Sequence, residues 1–205
     1  MARVDDYINA KKIAVEKLSA ESFEDITQRA GFEAEAENHL RIPFLNRIYK
    51  VRFPDFEFQD AAEPEKEVPI QEQVLILHYL MGEGGRSLSA KNWVAYREIP
   101  GASFYFSAFV KRAIDPLKKV FGQNIAGLVR ASEKLNGQKI DIGDAGFDFR
   151  LFPNVPLQLI LWEGDDEFPP EGNILFQEGV EKILSPEDIA WLGGMIVYRL
   201  AALSH

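Results

Sequence analysis

The sequence contains no cysteine. That excludes a disulfide framework, a thiolate zinc site, an iron–sulfur cluster ligated by the chain itself and a cysteine nucleophile. Long hydrophobic runs are missing too. The longest candidate, Val74 to Met81, falls well short of the ~18 residues that suggest a membrane span. Histidine is scarce, with only His39, His78 and His205. There is no HExxH and no pair of histidines at helical spacing, so no metal site of that kind is expected. Basic residues are outnumbered, 23 Lys+Arg against 32 Asp+Glu, for a net charge of −9. Nucleic acid is therefore not an expected partner, because phosphate neutralisation needs a surplus of Lys and Arg. A Walker GK[ST] and a GxSxG elbow are both lacking. The glycine-rich GEGGRS, residues 82–87, reads as a flexible connection.

What is present describes a globular chain. Of its 205 residues 46% are hydrophobic, which is too apolar for intrinsic disorder and enough for a real core without staples. MARVDDYINAKK opens with mixed charges and not with a basic region followed by an apolar stretch. It does not read as a secretory signal, so a cytoplasmic location is expected. No fixed-period repeat is visible.

The first thirty residues read as two helices. Val4, Tyr7, Ile8, Val15 and Leu18 recur at helical spacing. Ser22 with Asp25 reads as an N-cap, and Gly31 as a stop. FEAEAENHLRI, residues 32–42, alternates apolar and charged positions with the period of one half-exposed strand. Pro43 to Asn46 predicts a turn and IYKVRF, 48–53, the returning strand. DAAEPEKEVP, 60–69, is a polar loop and the best linker candidate. A helix follows over 70–81, between Pro69 and Gly82. NWVAYREI, 92–99, reads as a strand, and Ser103 to Leu135 as helix broken near Pro116 and Gly122. FDFRLF (147–152), LQLILW (157–162) and NILF (173–176) read as strands. Ser185 caps a closing helix whose first residue is Pro186. The fold expected is α+β, a single domain over 1–205. A largely antiparallel sheet is packed by N-terminal, central and C-terminal helices, with helices 1–31 standing to one side.

LFPNVPLQLILWEGDDEFPPEGNILF, residues 151–176, with the SPEDIAWLG helix start, resembles an uncharacterised prokaryotic domain family known only as a domain of unknown function. LHYL (77–80), WVAYREIPG (93–101) and IPFLNRIYKV (42–51) are similar to its pattern as well. The resemblance runs from about residue 20 to the end, and WEGDDEFPP is its most specific part. It implies a setting in the metabolism of anaerobic bacteria and archaea, where some members carry an added iron–sulfur domain. It implies no activity and no cofactor.

Four constellations carry candidate chemistry. The acidic run Glu163, Asp165, Asp166 and Glu167 lies between Trp162 and Phe168. Several carboxylates in a constrained turn suit a hard cation or polar ligand, or else simply cap backbone groups. His78, inside QVLILHYLM, is either a general base or a core histidine with a hydrogen-bonded partner. In WVAYREIPG, Arg97 can clamp a carboxylate or phosphate, or pair with a neighbouring acid. Trp93 and Tyr105 can line the same cleft. Charge is also partitioned: residues 101–150 hold eight basic and five acidic side chains, residues 151–205 two and nine.

The candidate ligand-binding set is therefore His78, Trp93, Arg97, Tyr105, Trp162, Asp165, Asp166 and Glu167. It is expected where the sheet end bearing Trp162 meets His78 and Arg97. The function expected is a binding or accessory module for a small polar ligand or a protein partner. The alternatives are an enzyme using carboxylates and His78, with or without Mg²⁺, and a structural interaction protein.

Overall fold

The computed structural model describes residues 4–36, 38–82 and 92–204. Among these, no helix is long and apolar enough to cross a membrane. The chain forms two compact units. The first takes the described residues up to Gly82 together with 152–154 and 182–184, and the second takes the remainder.

In the first unit, helices α1 (Val4–Leu18) and α2 (Phe23–Ala30) end as their sequences dictate. Ser22 Oγ accepts the N–H of Asp25 at 3.1 Å, the N-cap bond that an amphipathic helix needs for an orphan donor. Gly31 closes α2 at φ 69°, the left-handed conformation that glycine adopts without a Cβ clash. Strands β1 (Glu33–Ala36), β2 (His39–Phe44), β3 (Arg47–Arg52) and β4 (Glu57–Asp60) form an antiparallel sheet in sequential order. The single strand expected over 32–42 is in fact a hairpin. Asn38 turns the chain at φ 65°, and Ala34 pairs with Leu40 across it. Alternation alone hides such a turn, because both arms keep the same period.

The inner face of this sheet carries Leu40, Ile42, Phe44, Tyr49 and Val51, all fully buried. Helix α3 (Ile70–Met81) contributes an almost continuous buried run from Glu72 to Leu77. Its Tyr79 stacks on Phe152 at 4.2 Å between centroids and 10° between planes. The Tyr79 hydroxyl donates to the carbonyl of Ala30 at 2.8 Å, which satisfies the buried phenol. Residues 60–69 lie inside this unit, and Arg47 reaches both Asp60 and Glu63 at the start of that loop.

In the second unit, strands β5 (Trp93–Ala95), β6 (Gln138–Ile140), β7 (Ala145–Phe152), β8 (Val155–Trp162) and β9 (Glu171–Gln177) order as β5-β9-β8-β7-β6. The architecture is α+β, with two antiparallel sheets where one was expected. Strand 92–99 is shorter than its pattern suggests, because residues Tyr96–Glu98 turn into a 3₁₀ helix. Leu157, Leu159 and Leu161 share a face with Phe176, Ile174 and Gly172 across the ladder. Tyr96 and Phe109, stacked at 4.2 Å, both meet Phe176 edge-on at 6.3 Å.

Helix α4 (Phe106–Phe109) runs through a π-helical segment (Val110–Ile114) into α5 (Asp115–Phe121). A π turn widens the helix by one residue per turn. Pro116 sits just after it, in the first turn of α5, where a missing N–H costs least. Helices α6 (Ile125–Lys134) and α7 (Pro186–Leu203) complete the unit, and Ser185 Oγ caps α7 through the N–H of Asp188 at 3.2 Å.

Candidate functional site

The sequence-derived site residues of the second unit fall at two separate places. Arg97 lies over the ring of Phe106 at 4.6 Å, at the start of α4. At the far end, Gly164 donates its N–H to the carbonyl of Gly122, just past α5, at 2.9 Å. The intervening helical run is sixteen residues, roughly 24 Å at 1.5 Å per residue. The same separation is visible along β9. Trp162 faces Glu171 at one end and Trp93 faces Gln177 at the other, roughly 20 Å apart at about 3.3 Å per residue. His78 belongs to the first unit, on α3, and is half-buried where a core position was the alternative to a catalytic one.

The Trp162 end is built from the backbone outward. Asp165 Oδ1 accepts the N–H groups of Glu167 at 2.8 Å and Phe168 at 2.7 Å, while the Asp165 N–H donates to the carbonyl of Phe168 at 2.9 Å. This is an Asx turn, in which a short acceptor side chain mimics a backbone carbonyl. The two donated bonds hold the Asp165 carboxyl below the usual range, first through Phe168 and then through Glu167. Asp144 plays a related part: its Oδ2 accepts the N–H of Glu163 at 2.8 Å, and its own N–H donates to Leu161 at 2.9 Å.

The acidic turn thus keeps its shape through the carboxylates of Asp165 and Asp144. Among the described residues, no group of three or more His, Asp or Glu is placed to hold a metal ion. What the turn displays is aromatic. Phe168 is 67% exposed and Trp162 39%, with Ile142 and Val120 exposed on the adjoining loop and helix. Asp141, Asp144, Glu163, Asp165, Asp166, Glu167 and Glu171 are all exposed around them. Among the described residues none of these seven forms an ion pair. Phe168, Val120 and Ile142 were not singled out by sequence reasoning. The one signal was Phe168 itself, a phenylalanine between an acidic run and two prolines, where no core position is available.

The Arg97 corner is organised by α7. Tyr96 donates its hydroxyl to the carbonyl of Pro186 at 2.7 Å. The Tyr105 phenol is held above its ordinary pKa by the charge of Glu187, then by burial and by a hydrogen bond to the same carboxylate. Arg112, on the π segment, lies over Trp191 at 4.7 Å. Among the described residues no carboxylate pairs with Arg97. Arg97 leaves the strand in the 3₁₀ turn Tyr96–Glu98 and stacks on Phe106, and pairing with a neighbouring acid, one of its two expected roles, is not seen among the described residues. GEGGRS beyond Gly82, and His205, lie outside the described residues.

A family model described as Domain of unknown function (DUF3786) matches residues 22–199. The chain belongs to the DUF3786 family. The match takes in both sheets, the Asx turn and the Arg97 corner, and leaves α1 outside the DUF3786 domain. No curated protein and no solved structure matches the chain. Membership in DUF3786 therefore assigns no activity, and the reading of the site rests on its geometry.

Proposed function

We propose that this domain is a protein-binding module, and that the Trp162–Phe168 end receives a basic segment of a partner carrying an apolar anchor. One observation carries the reading. Phe168 stands 67% exposed on a turn whose backbone Asp165 pins at two points. An exposed aromatic on a rigid support has little conformational entropy left to lose on contact, which is the property of an interface anchor. The seven surrounding carboxylates form no ion pair among the described residues; they favour Lys and Arg on the partner and steer its approach. The family resemblance adds no chemistry to this reading.

The test is titration of the full chain with a lysine-rich peptide bearing a single leucine or tryptophan, followed by backbone NMR. Saturable, salt-sensitive shifts at residues 162–171 that disappear in Phe168→Ala are the expected result. Shifts that are unchanged in Phe168→Ala, or that spread over every acidic surface alike, overturn the reading. Titration with Ca²⁺ or Mg²⁺ serves as a control: saturable shifts at Asp165–Glu167 would return the site to cation binding.

A further inference from the structure

The outer face of the four-stranded sheet holds a basin of about 590 Å³. We propose that this basin binds a small oxyanion carrying an apolar group, with the phosphate monoester of a ring compound as the model. The register builds it. On the two central strands Arg52 faces His39 directly, and Lys50 faces Arg41. Lys50 and Arg41 are like charges, which destabilise a sheet when directly opposite one another. The outer strands offset this: Glu35 reaches Lys50 at 2.9 Å, and Glu57 reaches Arg52 at 2.9 Å. Cations thus occupy the middle of the face and carboxylates its margins.

The donors are only partly used. Arg52 contacts Glu57 and Asp55 through the same Nη2 atom, and a guanidinium has five N–H donors in a fixed fork. Among the described residues Lys50 Nζ meets Glu35 alone, out of three donors. Ion pairs this exposed are worth little, so an incoming oxyanion that takes two guanidinium bonds displaces a carboxylate at small cost. Pro64 lines the same basin and offers apolar surface beside the cations, while Phe58, opposite Val51 in the register and with Lys11 over its ring, bounds it from the other side of the strand. This favours an oxyanion with a ring over the bare ion. The basin lies wholly within the first unit and is independent of the Phe168 surface.

Titration calorimetry and backbone NMR with inorganic phosphate, phenyl phosphate and benzoate test the proposal. Phenyl phosphate is expected to bind at least about tenfold tighter than phosphate, with shifts at residues 39, 50, 52 and 57. A preference for benzoate over phenyl phosphate would assign the site to carboxylates within the same oxyanion chemistry. Arg52→Gln together with Lys50→Gln is expected to abolish the shifts. Glu35→Gln together with Glu57→Gln, which removes only the competing carboxylates, is expected to tighten binding. No saturable binding of any of the three probes overturns the proposal. So does binding that the first variant leaves intact, or that the second weakens.

Discussion

Phe168 donates its backbone N–H to Asp165 Oδ1 at 2.7 Å, and Asp165 donates its own N–H to the carbonyl of Phe168 at 2.9 Å. The two residues close a turn that neither could hold alone. Asp165→Ala is expected to speed amide exchange at Glu167 and Phe168 and to weaken basic-peptide binding. Asp165→Asn, which keeps an Oδ1 acceptor, is expected to preserve both. The folded pKa of Asp165 is depressed, so the turn is stabilised above the usual carboxylate range. It loosens as pH falls through the lowered value. Exchange at Phe168 that does not respond to Asp165→Ala would remove Asp165 as the support of the turn.

Asp60 is 2% exposed, and its carboxyl titrates below its ordinary value. Burial alone would raise it. The hydrogen bond from Arg47 and those from the N–H groups of Ala62 and Glu63 together outweigh burial. A depressed folded pKa contributes stability that is complete above the unfolded value, ~3.9, and is lost as pH falls through the folded one. Arg47→Met removes the largest lowering cause. Acid unfolding of the full chain, followed by circular dichroism, is expected to move to higher pH in that variant. A midpoint that does not move would show that Arg47 does not hold Asp60 ionised.

Gly193 and Gly194 face the π-helical region on α7. A Cβ on Gly193 would stand 2.8 Å from the Phe109 ring, whereas one on Gly194 would stand 3.3 Å from the carbonyl oxygen of Arg112. Phe109 is 2% exposed and stacked on Tyr96, so its ring has little room to yield. Gly193→Ala is expected to cost about 1–3 kcal/mol by overpacking, and Gly194→Ala less. Urea unfolding of the two variants checks the order, and an equal effect would contradict the close packing at Phe109.

Tyr79→Phe leaves the ring on Phe152 and removes the hydroxyl bond to the Ala30 carbonyl. A loss of about 1 kcal/mol is expected, against about 3–5 kcal/mol for Tyr79→Ala, which also empties the core. Burial pushes the Tyr79 phenol up to about 12. Burial raises the Tyr96 phenol as well, so an ultraviolet pH titration is expected to lose one late-ionising component in Tyr79→Phe and to keep another. Similar losses for Phe and Ala at position 79 would show that the hydroxyl, and not the ring, carries the stability.

The helices were largely legible. Ser22, Gly31, Ser185 and Pro186 stand where caps and stops were expected, because capping is settled within four residues of chain. The strands 147–152, 157–162 and 173–176 sit inside the observed β7, β8 and β9. Short elements were harder. Strands β4 and β6 have four and three residues, too few to show a period. In the site, the acidic turn was legible as a capped connection, while the stacking of Arg97 on Phe106 was not. That depends on a 3₁₀ turn at Tyr96–Glu98 which the strand-like pattern of WVAYREI conceals.

By itself the sequence determined the exclusion of cysteine chemistry, the α+β class, the ends of the long helices and the charge gradient toward the C-terminal third. Each follows from composition or from bonds between near neighbours in the chain. Tertiary structure decided what long-range pairing alone can decide. It divided the strands between two sheets and placed Arg52 opposite His39. It also set Arg97 and Asp165 at the two ends of one helical run. Strand register and helix length convert sequence distance into spatial distance, and no local pattern specifies which residues face each other once the chain has folded back.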